Sequence, residues 1–138
     1  MALSVDVVSD KKFSDLRDNL EKRIINVLDY LGKDDVLVEI ALVSNDRMAL
    51  INKKSRDKKG TTTVLSFEDD SPQPKGKLLR LGEIYLAPDF IESKEMSLVR
   101  VAVHGLLHLL GYTHNREDDT IKMESVEDKI FDYLGLEN

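Results

Sequence analysis

This sequence reads as an α+β protein, a mixed α/β chain with a single small mixed sheet packed with helices. Three observations lead there. In the first half apolar residues recur with a period of two, then of three to four; two strand-like runs then follow one another with no helix between them; and two helical patterns close the chain. At 138 residues, with 41% hydrophobic and 33% charged positions, the length and composition suit one compact domain, expected to span residues 1–138.

Leu3, Val5 and Val7 alternate as in a half-buried strand. From about Ser14 the apolar positions Leu16, Leu20, Ile24, Leu28 and Leu31 recur at helical spacing, and Gly32 stands where a helix C-terminus wants positive φ. Val36 to Val43 is aliphatic and β-branched with one charge, Glu39, which predicts a strand buried on much of both faces. Asn45 suits the N-cap of a short helix through Met48, Leu50 and Ile51. A strand is expected around Val64, Leu65, Ser66 and Phe67, and Asp69 to Gly76, with Pro72 and Pro74, predicts an exposed loop. Gly82 to Ala87 is the next strand, ended by Pro88. Leu98 to Leu110 is nearly all apolar, a buried helix stopped by Gly111. A last helix from about Thr120 to Leu134 puts Met123, Val126, Ile130 and Leu134 on one side before Gly135.

The absence of cysteine excludes disulfides, thiolate metal sites, iron–sulfur clusters and cysteine nucleophiles. Met1 to Asp6 carry no basic segment followed by an apolar one, and no stretch approaches the roughly 18 apolar residues of a membrane span. A cytoplasmic protein with no membrane partner is expected. Twenty basic against 26 acidic residues give a net charge of −6, which argues against nonspecific coating of nucleic acid by the whole surface. Residues 52–60 reverse that sign, with Lys53, Lys54, Arg56, Lys58 and Lys59 against Asp57. Such a run is either a solvated loop or a surface that tracks a phosphate backbone.

All three histidines, His104, His108 and His114, fall within eleven residues. Four residues apart on a helix, the first two share a face with Cβ atoms about 5–6 Å apart, close enough for two ring nitrogens to reach one ion at about 2.0–2.1 Å. Gly111 lets the chain turn and bring His114 over the same ion. Three nitrogen ligands with a free fourth position are the pattern of a catalytic zinc site. Arg100, His104 and His108 also form one polar stripe, at i, i+4 and i+8, on an otherwise apolar helix. The other reading is a pair of core histidines bonded to the backbone, which would bury two imidazoles on one stripe at a cost.

The spacing is that of the metalloprotease motif H-E-x-x-H-x-x-G-x-x-H, a zincin-like metal helix carrying the first two ligands, except that Gly105 occupies the position of the general-base glutamate. Glycine takes no proton from water, so peptide hydrolysis is disfavoured. Glu83 and Glu117 are the nearest acids to serve as base; Ser66 is a polar residue that can line the site, while Leu65 and Phe67 belong to the core.

The stretch His104 to His114 resembles the signature of the YbeY family of bacterial metal-dependent endoribonucleases, also described as rRNA maturation factors. Arg56 to Phe67, ending in Val64-Leu65-Ser66-Phe67, resembles the family's arginine-led segment, and Leu81-Gly82-Glu83-Ile84 its Leu-Gly-Asp-Ile strand. The sequence departs from the pattern at Thr113, at Thr61 and Thr63, and at Glu83, where the family has aspartate, proline and aspartate, and aspartate. The resemblance implies one Zn2+ per chain on His104, His108 and His114, with Arg56 and His114 in catalysis. It further implies an RNA substrate, ribosomal RNA of the small subunit, cut with a preference for single strands in 3′-end maturation and ribosome quality control. A noncatalytic ribosome-assembly factor with a structural metal, and a zinc hydrolase acting on another substrate, are the other readings. Imidazole suits nickel and cobalt as well as zinc, and neither the cleavage position nor the oligomeric state follows from the sequence.

Overall fold

A computed structural model describes residues 3–73 and 78–136; Met1 and Ala2, and Pro74 and Gly76 of the expected loop, lie outside the described residues. Strands β1 (Leu3–Ser9), β2 (Val36–Leu42), β3 (Val64–Glu68) and β4 (Leu79–Leu86) form one mixed sheet in the order β1-β2-β4-β3. β1, β2 and β4 run parallel, and β3 pairs antiparallel with β4. Parallel neighbours require a crossover, which α1 (Arg17–Tyr30) supplies between β1 and β2. The helix expected from Ser14 is two elements, because a 3-10 turn, Lys11–Leu16, precedes α1. Gly32, with φ of 70°, ends α1 as its sequence position predicts.

Helix α2 (Asn45–Arg56) follows β2 and extends well into the basic run. Its N-cap is Ser44 and not Asn45. Ser44 is extended and its hydroxyl accepts from the Arg47 N–H, whereas Asn45 is already helical. Pro88, expected only to stop a strand, opens the short helix α3 (Pro88–Ser93), where its fixed φ is already helical and its missing N–H costs nothing. α4 (Leu98–Leu109) and α5 (Glu117–Leu134) close the chain. α5 starts three residues earlier than the apolar pattern shows, because Glu117, Asp118 and Asp119 favour the positive end of the helix dipole.

The main core lies between one sheet face and helices α1, α4 and α5, and holds Ile24, Leu28, Val38, Ile40, Ile84, Leu106 and Leu107. β2 shows the consequence. Val36, Val38, Ile40 and Leu42 are buried, but Leu37 and Ala41 are only partly covered and Glu39 is exposed. The strand is thus fully buried on one face rather than on both, because the second face receives only a smaller cluster formed by Val43, Met48, Leu65 and Ala87 with Ile51 and Phe67 against it. β4 begins at Leu79, earlier than expected, and passes a register shift opposite Leu37 and Val38. At Gly82, φ is 145° and a Cβ would lie 2.1 Å from the Phe67 carbonyl oxygen, so only glycine fits there. Among the described residues no helix is long and apolar enough to cross a membrane.

Candidate metal centre

Seven of the twelve residues of α4 are buried, among them Val103, Leu106 and Leu107. At about 1.5–3 kcal/mol for each large aliphatic side chain, this burial fixes the helix on the sheet and holds the polar stripe in place. Ser97 caps its start, accepting from the Arg100 N–H at 3.3 Å. Its end is a Schellman turn: the Gly111 N–H donates to His108 O at 3.1 Å and the Tyr112 N–H to Leu107 O at 3.0 Å, with Gly111 at φ of 101°. The turn carries the chain back, so that the His114 ring centroid lies 4.8 Å from those of both His104 and His108.

Hydrogen bonds fix the tautomers of His104 and His108. His108 Nδ1 lies 2.9 Å from the Tyr112 carbonyl oxygen and His104 Nδ1 lies 3.2 Å from Glu127 Oε2. A carbonyl and a carboxylate only accept, so each Nδ1 carries the proton and each Nε2 keeps its lone pair. Those two Nε2 atoms face each other at 3.2 Å. Two lone pairs in that position repel, whereas two nitrogens held tetrahedrally by one ion at the usual zinc distance would stand about 3.3 Å apart. One nitrogen from each of the three rings falls within 4.8 Å of the others. The donor set therefore fits a metal ion. Burial, and then the nearby His104, push the His108 pKa below its ordinary value and favour the neutral ligand form.

The rings border a groove of about 660 Å³ that is also lined by Arg56 and Ser66. Arg56 is the last residue of α2, followed by Asp57 in the left-handed region. The loop after it is tied down by Asn52, buried on the inner side of α2, whose Nδ2 donates to Gly60 O at 3.1 Å. The Ser66 hydroxyl donates to Gly105 O at 3.1 Å. Lys53, Lys54, Lys58 and Lys59 are exposed and do not line the groove.

Neither expected general base is there. Ile84 and Leu86 face the main core, so strand alternation turns Glu83 to the opposite sheet face. There it accepts from the Tyr85 hydroxyl at 2.6 Å, the main reason the Tyr85 pKa is pushed up to about 12. Glu117 is exposed at the start of α5 and is not part of the lining. The carboxylate that does line the groove, among the described residues, is Glu68.

Two functional candidates escaped the sequence reading, Glu127 and Glu68. Glu127 stands four residues from both Met123 and Phe131, which are buried, so a carboxylate at an inward position of α5 was its signal. Glu68 stands two residues after Ser66 on a strand, and so on the same face. Glu127→Gln is expected to weaken metal binding about 10–100-fold, the usual cost of losing such an outer contact, while leaving the fold intact. Competition with a chromophoric chelator measures it, and an unchanged affinity would show that Glu127 does not support His104.

Three convergent imidazoles, two of them with anchored Nδ1 atoms on a helix buried against a mixed sheet and the third on the turn that follows, define a protein with a candidate mononuclear metal centre. The family model described as Endoribonuclease YbeY matches residues 5–135. The endoribonuclease YbeY of Coxiella burnetii is 30% identical over 148 aligned positions, covering 99% of this chain and 97% of its own. Those of Bartonella bacilliformis and a Sulfurihydrogenibium species are 37% and 38% identical, covering 86% and 92% of this chain and 82% and 85% of theirs. The solution structure of TM1509 from Thermotoga maritima shares the fold, with a TM-score of 0.57 at 24% identity over 94% of this chain and 91% of that one. The chain belongs to the YbeY family, and as a member it is a metal-dependent endoribonuclease, a hydrolase.

Proposed function

We propose that residues 1–138 form one zinc-dependent endoribonuclease domain. It acts in the cytoplasm on ribosomal RNA of the small subunit, prefers single strands, and serves 3′-end maturation and ribosome quality control. The observation that carries this reading is the shared groove, in which a guanidinium and three convergent imidazoles face the same space. His104, His108 and His114 would hold one Zn2+ per chain; when bound, the ion supplies a Lewis acid that activates water or polarises a phosphoryl oxygen.

The remaining chemistry falls to the chain's own side chains. Arg56 clamps a non-bridging phosphate oxygen with its planar fork and offsets the charge that develops there. Lys53, Lys54, Lys58 and Lys59, exposed beside it, track the backbone without reading bases. Glu68 is the carboxylate in position to take a proton from the attacking hydroxyl. His108 donates through Nδ1 to Tyr112 O and stays in one orientation throughout.

Arg56→Ala is expected to lower RNA cleavage about 100-fold, the scale on which removing one charge-stabilising group acts, with metal content unchanged. Cleavage of a single-stranded RNA alongside elemental analysis of the same preparation tests it; full activity would remove Arg56 from the mechanism.

A further inference from the structure

A second groove, of about 640 Å³, lies on the other side of His104. His104 lines both grooves, and Glu127, its hydrogen-bond partner, lines the second. The imidazole, together with Val64, which also lines both, thus stands between them, and whatever occupies the second groove lies next to the reacting centre. The two differ in chemistry. The first presents Arg56 and a mixed polar lining. The second is mainly apolar, with Val101 and Phe131 in its floor, the Arg100 guanidinium 4.4 Å over the Phe131 ring, and Glu95 and Glu127 as its acids.

We infer that this second groove is a subsite for the nucleobase flanking the scissile phosphate. The inference rests on the endoribonuclease reading and adds the base contact to it. The volume lies within the range of about 300–1,000 Å³ typical of small-ligand pockets. A phosphate is disfavoured beside two carboxylates, whereas a flat, weakly polar ring matches an apolar floor and the guanidinium–aromatic stack, the platform on which unpaired bases are bound. The carboxylates accept from N–H groups, and an exocyclic amine offers two such donors against the single N3–H of uracil, which favours adenine, cytosine and guanine. A paired base must first give up its pairing and stacking, at a cost in free energy, to enter such a groove, so the subsite also gives single-strand preference a physical cause.

The test uses short single-stranded RNAs in which each position in turn is abasic, cut by the metal-loaded protein. Loss of the base at one position next to the cut should lower kcat/KM about 5- to 100-fold, the scale of one stacked base, and uracil there should fall between. In Arg100→Gln, and in Phe131→Leu if it folds, the ratio of intact to abasic substrate should collapse toward one. Independently, adenosine 5′-monophosphate added to metal-free protein should shift the backbone amides of Thr63, Val101 and Phe131 in NMR spectra. If the RNAs are cut equally with and without each base, and the amide shifts are confined to the Arg56 groove, the subsite is wrong while the nuclease stands. If no RNA is cut but the Val101 and Phe131 amides shift, the groove stands as a base-binding site, while the nuclease reading falls and takes with it the placement beside a scissile phosphate. Silence in both measurements overturns both.

Discussion

His108→Ala is expected to strip the protein of its metal and to abolish RNA cleavage, a larger loss than the roughly 10–100-fold cost of disturbing an outer contact. The ring cannot be replaced from nearby. Its Nε2 faces that of His104 at 3.2 Å, and its Nδ1 is tied to Tyr112 O at 2.9 Å, so alanine removes a donor and the hydrogen bond that aims it. Stability should respond differently. In the metal-free protein the folded pKa of His108 lies below its ordinary 6.5, so in the window between the two the unfolded chain binds the proton and the folded chain does not. Neutral His108 therefore favours the fold above 6.5, and that contribution is lost as pH falls through the folded value. His108→Ala should flatten this part of the pH–stability curve. Elemental analysis, cleavage of a single-stranded RNA and urea unfolding across mildly acidic pH measure the three effects. An alanine variant that keeps stoichiometric metal would remove His108 from the ligand set.

What the sequence made legible here is local, and what it hid depends on tertiary register. The i, i+4 spacing of His104 and His108, and the glycines at 32, 111 and 135 that end three helices, act within one or two turns of chain, and the structure places them as read. Glu127 is 23 residues from the ring it touches, and nothing short of packing α5 on α4 brings them together. Glu68 enters the groove because β3 lays its Val64 and Ser66 side against α4, a matter of which strand face meets which helix. The Glu83 expectation failed for a reason already present in the pattern: Ile84 and Leu86 beside it are core residues, and period-two alternation sends an acid between them to the other face. Ser44 and Pro88 show the finer limit, since adjacent residues compete for one cap and proline both ends strands and starts helices.

Gly105→Glu, which restores the metalloprotease pattern, is expected to destabilise the protein strongly rather than to create a peptidase. A Cβ at position 105 would lie 2.9 Å from Ser66 Oγ, 3.0 Å from Val64 Cγ2 and 3.2 Å from Ile84 Cγ2. The serine can rotate away, at the expense of its bond to Gly105 O, but the two β-branched side chains are held by the strands. Alanine at this position gains about 1 kcal/mol of helix propensity against about 1–3 kcal/mol of overpacking, so Gly105→Ala should lose at most about 2 kcal/mol. Glutamate adds Cγ, Cδ, both carboxylate oxygens and a charge between the helix and the sheet, where an unpaired carboxylate has no partner, and should lose more than about 3 kcal/mol. The chemistry fails with the packing. His104 and His108 face the groove while position 105, about 100° further round the helix, faces β3 and β4, so the added carboxylate points into the sheet and away from the imidazoles. Urea unfolding of the two variants beside the wild type measures the order of stabilities. A Gly105→Glu protein as stable as the wild type would mean that α4 can lift from the sheet, and peptide hydrolysis would then return as a reading of this site.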